Sequence, residues 1–242
     1  MSNGNLKQRV GSKEQVLGLT VPANVEREQL DRLLQRGPYD FIMVDSQHSP
    51  LNEERLVALS ALAAEMNTFF QLRIKHTRQT YLVGNYLDLG PCGIEVPQVE
   101  TEATAIEAVE NFYYLPAGKR SVGGAARPRA KEFSDPFAYA EWWNNYGILW
   151  MQVESVEATE QVYALAKPGV DCVSFGPTDL SFSLKYSDHP RLKTVDDCVT
   201  QVVETFRGTQ TAVCFRTFTP TKRQQYLDMG VTVILEHFQQ LD

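Results

Sequence analysis

Two carboxylates in this sequence follow short apolar runs that are typical of buried strands. Glu154 ends the run in "MQVES", and Asp179 follows Gly176-Pro177 in "VSFGPTDLS". If the two runs form neighbouring parallel strands, these acids lie at adjacent strand ends, because such strands are ~4.8 Å apart. Two acids that close repel each other unless a positive group holds them, and a hard divalent cation does so with oxygen ligands. The alternative is two exposed acids, one of them paired with an arginine.

A second polar pair follows another apolar run, in "FIMVDSQHSP". Asp45 precedes His48 by three residues, and a carboxylate can orient an imidazole and fix its tautomer for acid–base chemistry. The alternative is a turn histidine beside a solvated aspartate. The other histidines have no such neighbour and are predicted to be structural or surface residues: His76, His189 and His237.

Further polar side chains end two more apolar runs. Arg73 closes "FFQLR", where a guanidinium could bind a carboxylate, an enolate oxygen or one of the acids, or could be structural. Gln152 precedes Glu154 by two residues. Lys75 raises the possibility of a Schiff base, but strand alternation places it beyond the strand end.

The elements that must position these residues are short apolar runs that alternate with helical patterns. Eight runs are predicted to be strands covered on both faces: 16–21, 41–46, 69–74, 93–97, 148–154, 172–176, 211–216 and 232–236. Seven segments are predicted to be helices: 26–37, 52–66, 77–90, 101–112, 155–169, 194–208 and 219–230. Asn52, Thr101, Ser155, Thr194 and Thr219 suit helix N-caps.

Eight strands that alternate with helices predict an α/β fold with a parallel sheet, and eight strands close a (β/α)8 TIM barrel. An open doubly wound sheet is the alternative, but the sequence has no G-x-G-x-x-G after its first strand. We expect one domain over residues 1–242, with a polar N-terminal segment at 1–14. Residues 113–147, rich in Gly, Pro and Arg, are predicted to be a long functional loop, and those after Asp179 a compact one.

Composition excludes several classes of protein. The net charge of −7 and the lack of a basic stripe argue against nucleic-acid binding. The four cysteines contain no C-x-x-C pair, so no zinc or redox motif is indicated. No run approaches the ~20 apolar residues of a membrane span, and the first residues lack the apolar core of a signal peptide. We therefore expect a cytoplasmic protein.

Together these stretches resemble the metal-dependent pyruvate aldolases of the HpcH/HpaI type, the 4-hydroxy-2-oxoheptanedioate aldolase family. The resemblance covers roughly residues 35–185 and rests on "YDFIMVDSQHSP", "FQLRI", "YLDLGPCGIEVPQVET", "PAGKRSVGG", "MQVES" and "VDCVSFGPTDLS". It implies a (β/α)8 barrel that binds a divalent Mg, Mn or Co ion. It also implies cleavage of 4-hydroxy-2-oxo acids into pyruvate and an aldehyde, and the reverse addition.

The resemblance also implies roles for individual residues. Glu154 and Asp179 correspond to the metal ligands, and His48, beside Asp45, corresponds to the acid–base residue. Arg73 corresponds to the arginine at the keto or enolate oxygen. The remaining correspondences are Gln152 beside the metal, Gly176, Pro177 and Thr178 around the pyruvate carboxylate, and Asp88 supporting the histidine of a neighbouring subunit.

The sequence departs from the family pattern at three places, and one of them is the compact loop "LSFSLKYSDHP" after Asp179, which lacks the glycine often found there. Gln47 stands where the family usually has an acid before the histidine, which removes a negative charge beside His48. The family normally has a final helix that packs across subunits, whereas this sequence stops at "EHFQQLD". A homo-oligomer is still expected, a hexamer by resemblance, but the missing helix bears on that assembly.

Three further functional expectations remain open. Arg120, Arg127 and Arg129 could receive a distal carboxylate of the aldehyde, or could form a solvated basic loop. The same constellation could cleave a CoA ester, as citryl- or malyl-CoA lyases do, although no nucleotide pocket is recognisable. A degenerate barrel that binds a 2-oxo acid without catalysis is the alternative outside enzymes.

Overall fold

The computed structural model describes residues 5–218 and 220–237. Eight parallel strands form a closed barrel in which each strand pairs with the next and β1 pairs with β8, confirming the predicted (β/α)8 architecture. The strands are β1 Val16–Val21, β2 Phe41–Asp45, β3 Phe69–Arg73, β4 Gly93–Val96, β5 Ile148–Val153, β6 Cys172–Phe175, β7 Ala212–Thr217 and β8 Val233–His237.

Helices surround the barrel. The α-helices of the described residues are α1 Leu6–Gly11, α2 Arg27–Leu34, α3 Glu53–Glu65, α4 Val83–Asp88, α5 Glu102–Phe112, α6 Pro136–Asn144, α7 Val156–Glu160, α8 Val162–Leu165, α9 Pro177–Lys185, α10 Val195–Thr205 and α11 Arg223–Asp228. Short 3₁₀ helices span Thr77–Leu82, Ala130–Glu132 and Pro220–Lys222. None of these helices has the length and apolar character needed to cross a bilayer.

Four of the five predicted N-caps lie within the described residues, and all four form. The side chains of Asn52, Thr101, Ser155 and Thr194 each accept a hydrogen bond from a backbone N–H in the first turn of α3, α5, α7 and α10. These bonds satisfy donors that a helix start otherwise leaves unpaired. The fifth predicted cap, Thr219, lies outside the described residues.

Three α-helices fall where no helix was predicted. The segment predicted as one long loop contains α6, whose first residue is Pro136 and whose N-cap is the carboxylate of Asp135. The segment predicted as a compact loop after Asp179 is α9. Helix α1 lies within the polar N-terminal segment and buries Leu6 and Val10. Each of these helices is only six to nine residues long, so the periodic signal in the sequence is weak.

Alternation along the strands produces two apolar layers. One set of side chains packs against the surrounding helices, and the other fills the amino-terminal half of the barrel interior. Phe41 of β2 meets Trp150 of β5 edge to face with their ring centroids 5.4 Å apart, a contact across the barrel. Gly18 makes room for it, because a Cβ there would lie 2.0 Å from the Phe41 ring. The interior is therefore packed at this end and is not a channel.

Candidate active site

Toward the carboxyl end of the strands, the inward side chains change from apolar to polar. Buried polar or charged residues end or nearly end β3, β4, β5, β6 and β7: Arg73, Glu95, Gln152, Ser174 and Arg216. Asp45 and His237 end β2 and β8 and are partly exposed. Because all strands run in the same direction, these residues share one end of the barrel, which is where (β/α)8 enzymes carry their active sites.

Arg73 is held in a fixed orientation at this end. Its Nε and one terminal nitrogen donate to the two oxygens of Asp45 at 2.9 and 2.5 Å, and its other terminal nitrogen donates to Gln152 Oε1 at 3.1 Å. Burial acts to lower the pKa of Arg73, but the bonds to Asp45 and the charges of Glu95 and Glu154 raise it above the ordinary value. The guanidinium is therefore charged, and its position is determined by side chains of β2 and β5.

Both carboxylate oxygens of Asp45 accept hydrogen bonds from Arg73. Burial acts to raise the pKa of Asp45, but the hydrogen bonds and charge of Arg73 bring it below its ordinary value. The Gln47 N–H donates to the same carboxylate at 2.9 Å. His48 is exposed and makes no side-chain hydrogen bond within the described residues, so the predicted Asp45–His48 pair does not form.

Glu154 follows β5 directly and is buried against the start of α9. Its carboxylate lies where a side chain on Gly176 would be, since a Cβ there would be 1.8 Å from Glu154 Oε1. Glu154 Oε2 is buried and has no hydrogen-bond partner in the described part of the chain. Burial raises the pKa of Glu154 to about 7, and the charges of Asp179 and Glu95 add to this effect against Arg73 and Arg216.

Asp179 lies in the first turn of α9 and is exposed. Its charge acts on Glu154, so the two carboxylates are electrostatic neighbours as predicted from the strand order. An unpartnered buried carboxylate oxygen beside a second carboxylate fits a hard divalent cation. Among the residues described, no group of three or more His, Cys, Asp and Glu side chains lies so that it could hold a metal ion.

The start of α9 offers fewer backbone donors than the sequence predicted. The Gly176 N–H already donates to the Val153 carbonyl at 3.3 Å, and Pro177 has no N–H. Thr178 is exposed in the first helical turn, where backbone N–H groups lack intrahelical acceptors. Of the three predicted residues, Thr178 is the one that can donate to an anion.

Three residues of this end were missed by sequence reasoning. Glu95, Arg216 and His237 all face the barrel mouth, although His237 was predicted to be structural or superficial. Burial lowers the pKa of His237, the charges of Arg216 and Arg73 lower it further, and Asp45 opposes them. For Glu95 and Arg216 the sequence did contain a signal, because each is a charged residue within an otherwise apolar strand, "GIEVP" and "AVCFRT".

The arginines of residues 113–147 do not face the barrel mouth. The Arg120 side chain is fully buried, lies over the rings of Tyr114 and Trp143, and donates to Asp88 Oδ1 at 2.8 Å. Arg127 and Arg129 line an outer groove of about 820 Å³ that also contains Phe69, the first residue of β3. Arg127 and Arg129 therefore lie toward the amino end of the barrel. From there they cannot bind a distal carboxylate of a substrate at the carboxyl end. Lys75 is exposed beyond the end of β3.

Comparison with known proteins agrees with the fold and identifies the family. The sequence model of the HpcH/HpaI aldolase/citrate lyase family matches residues 24–235. The chain is 28% identical over 231 residues to hydroxypyruvate/pyruvate aldolase of Pseudomonas aeruginosa, covering 94% of this chain and 84% of that protein. It is 30% identical over 198 residues to 2-keto-3-deoxy-L-rhamnonate aldolase of Klebsiella pneumoniae, covering 81% and 73%.

A crystal structure of an HpcH/HpaI aldolase from Desulfitobacterium hafniense aligns with a TM-score of 0.82 at 25% identity, over 96% of this chain and 89% of that one. The family match and the aldolase relatives define a carbon–carbon lyase of the aldolase class. The chain belongs to the HpcH/HpaI aldolase/citrate lyase family. Aldolases of this class generally depend on a divalent metal ion.

Proposed function

We propose that the protein is a metal-dependent aldolase that cleaves 4-hydroxy-2-oxo acids into pyruvate and an aldehyde and also catalyses the reverse addition. The observation that carries the proposal is the pair Glu154 and Asp179 at the carboxyl end of the barrel. Glu154 supplies a buried carboxylate oxygen with no partner in the described residues, and Asp179 adds a second negative charge near it. Hydroxypyruvate and pyruvate, named for the Pseudomonas relative, are 2-oxo acids, which supports this substrate class.

Glu154 and Asp179 would hold the cation, a Mg, Mn or Co ion, with Gln152 beside it. When bound, such a cation acts as a Lewis acid that polarises a carbonyl oxygen and stabilises negative charge developing on it. The Thr178 N–H, at the positive end of α9, would bind the substrate carboxylate, with Gly176 and Pro177 shaping the approach.

The protein groups then share the proton and charge transfers. His48, through a water molecule, takes the proton of the C4 hydroxyl as the C4 carbonyl forms, and the electrons of the breaking C3–C4 bond form the C2–C3 double bond of the enolate as the aldehyde leaves. C3 of the enolate then takes this proton back from His48 through the water molecule, which gives pyruvate. Arg73, oriented by Asp45 and Gln152, donates hydrogen bonds to the C2 oxygen as it gains negative charge. In the addition direction, His48 returns the proton to the new hydroxyl group.

We also propose that residues 1–242 act as one domain in the cytoplasm and as a homo-oligomer. The free state of the four cysteines is compatible with a reducing compartment. Asp88 is the candidate support for His48 of a neighbouring subunit in a hexamer. Its carboxylate shares one oxygen with Arg120 of its own chain and remains partly exposed, which leaves room for a second contact.

The proposal is tested by following pyruvate release from 4-hydroxy-2-oxo acids of several lengths. The protein is first stripped of metal with a chelator, and Mg²⁺, Mn²⁺ or Co²⁺ is then restored. Activity should vanish with the chelator, return with metal, and be lost in Glu154→Gln and in Asp179→Asn. Glu157→Gln, which changes an exposed acid on α7, is the matched control and should keep the activity.

Two results would overturn the proposal. Cleavage that ignores the chelator would exclude the metal role of Glu154 and Asp179. Tight binding of metal and pyruvate with no cleavage of any substrate would indicate a barrel that binds a 2-oxo acid without catalysis.

A further inference from the structure

A second guanidinium, that of Arg216, is buried at the mouth of the barrel and is not used in the proposed mechanism. Its side chain is 6% exposed, and one terminal nitrogen donates to Glu95 Oε2 at 2.8 Å. Its Nε is buried and has no hydrogen-bond partner among residues 5–218 and 220–237. A buried charged N–H without an acceptor is costly, so this donor calls for a partner that comes from outside the chain.

Glu95 positions this guanidinium. The Glu95 side chain is fully buried, accepts a hydrogen bond from Ser174 Oγ at 2.5 Å, and has one oxygen 4.0 Å from Arg73 Nε. The carboxylate thus lies between two arginines that come from β3 and β7, on opposite sides of the barrel. Because its partners occupy it on both sides, Glu95 fixes the direction of Arg216 without satisfying the Nε–H.

Arg216 lies within electrostatic reach of the proposed site. Its positive charge acts, together with stronger effects of burial, on the pKa of Glu154 and of His237, and it also acts on Asp45. Arg73 differs from Arg216 because all of its charge is already matched by the two oxygens of Asp45. Each guanidinium nitrogen of Arg73 makes a hydrogen bond within the chain, whereas Arg216 Nε at the same mouth makes none among the described residues.

We propose that Arg216 is a specificity-determining residue whose Nε–H donates to a carboxylate on the aldehyde-derived end of the substrate. This inference rests on the proposed function, because it assigns the distal part of the same substrate. An anion suits this place better than a neutral oxygen, because a desolvated guanidinium forms its strongest hydrogen bonds with carboxylates. The loop arginines at 120, 127 and 129 are paired or lie toward the other end of the barrel, so they do not compete for this role.

The variant must remove the donor without leaving a buried charge alone. Arg216→Met by itself would leave Glu95 buried and unpaired, which can prevent folding. The test therefore uses the double variant Glu95→Gln/Arg216→Met. The matched control is Glu236→Gln/Arg223→Met, which removes an arginine–glutamate pair formed between α11 and the outward face of β8.

The first readout is acceptor selectivity in the addition of pyruvate to an aldehyde. Glyoxylate, which carries a carboxylate, is compared with glycolaldehyde, and succinic semialdehyde with butanal. The ratio of kcat/KM values, charged over neutral acceptor, should fall about 10- to 100-fold in the Glu95→Gln/Arg216→Met variant for at least one pair. The ratio cancels any loss of activity common to both acceptors, and it should not change in the control variant.

The second readout does not need turnover. Calorimetry compares binding of 2-oxoglutarate with that of 2-oxovalerate, which has a methyl group in place of the distal carboxylate. The wild type should bind 2-oxoglutarate more tightly, and the difference should disappear in the Glu95→Gln/Arg216→Met variant but persist in the control. If neither aldehyde reacts in the wild type, the proposed function fails while this binding comparison still decides the role of Arg216.

The inference is overturned if both selectivity and the binding difference are the same in the wild type and the double variant. That result would mean that Arg216 Nε donates only to water. It is equally overturned if the wild type shows no preference for the charged ligand in either measurement.

Discussion

The two ends of the barrel both bury charged groups, but they treat them differently. At the amino end, Lys7 Nζ of α1 donates to three acceptors at 2.8 Å: Tyr113 Oη, the Gly147 carbonyl and Asp171 Oδ2. Asp171 also accepts from the Leu149 N–H at 2.8 Å. Every partner comes from this chain, and α1 is thereby fixed over the interior.

At the carboxyl end, polar atoms are buried without partners. Within the described residues these atoms include Glu154 Oε2, Gln152 Nε2 and Arg216 Nε. Folded proteins rarely leave buried polar groups unpaired, and the exceptions concentrate where a ligand, ion or water completes the set. The comparison teaches that charge alone does not mark a functional end. The Lys7–Asp171 network of the amino end is complete and serves stability, whereas the acids and arginines of the carboxyl end keep donors and acceptors open for a ligand.

The largest expected effect of this difference is on catalysis, in Arg73→Lys. Lysine keeps the charge but cannot make the two-pronged contact with Asp45 and the bond to Gln152 at once. We expect kcat/KM for pyruvate release to fall about 100- to 1,000-fold, since removing one oriented donor from a developing oxyanion costs that much. Steady-state kinetics measures it.

Arg223→Lys is the matched control for that experiment. Arg223 makes the same two-nitrogen contact with Glu236, but on the outside of the barrel. Its kcat/KM should stay within about threefold of the wild-type value, as expected for a surface substitution far from the site. A similar loss in both variants would mean that the arginine–carboxylate pairs act through the stability of the strands, and the contrast between interior and exterior would fail.

The next largest effect is on stability, at the amino end, in Lys7→Met. This change leaves Asp171, which is 15% exposed at its side chain, without its cation. We expect the free energy of unfolding to fall by about 2–3 kcal/mol, somewhat less than for a fully buried pair, with kcat unchanged. Urea unfolding measures it. Lys119→Met, which removes an exposed pair with Glu110, should cost less than about 1 kcal/mol.

A Lys7→Met variant with normal stability but reduced kcat would contradict the division between the two ends. It would show that the network beneath the barrel influences the site at the opposite end.

How much of this could be read from the sequence depends on the range of the interaction. Strand bounds were predicted to within about a residue, because apolar runs of this length and flanking turns are local signals. The caps at Asn52 and Thr194 are local too, since donor and acceptor lie within one helical turn. Glu154 and Asp179 were placed together because parallel strands bring their ends to one side.

The partners of the site residues could not be read in this way. Asp45 binds Arg73, 28 residues away, and not His48, three residues away, because the register aligns the ends of β2 and β3. Glu95 and Arg216 meet only because eight strands close into a barrel, 121 residues apart in the chain. Such contacts depend on shear and closure, which the local pattern does not encode.

The third expected effect concerns the pH dependence of stability, and it tests whether Glu154 lacks a partner within the chain. In the metal-free protein, burial raises the pKa of Glu154 to about 7, above its ordinary value of 4.5. Between these two values the folded state binds more protons than the unfolded state, so stability falls as pH rises through this window. The contribution of Glu154 is fully present below about pH 4.5 and is lost above about pH 7.

Glu154→Gln removes this titration. Relative to the wild type, the chelator-treated variant should gain up to about 3 kcal/mol in the free energy of unfolding between pH 5 and pH 8. Urea unfolding at several pH values measures the difference, and Glu157→Gln should show no such gain. Adding Mn²⁺ at pH 8 should stabilise the wild type and not Glu154→Gln. The cation supplies a positive partner for the ionised, buried Glu154 carboxylate, and the neutral glutamine needs no such partner. If Glu154→Gln lost stability at pH 8 without metal, Glu154 would already be satisfied by the protein, and the carboxyl end would be as complete as the amino end.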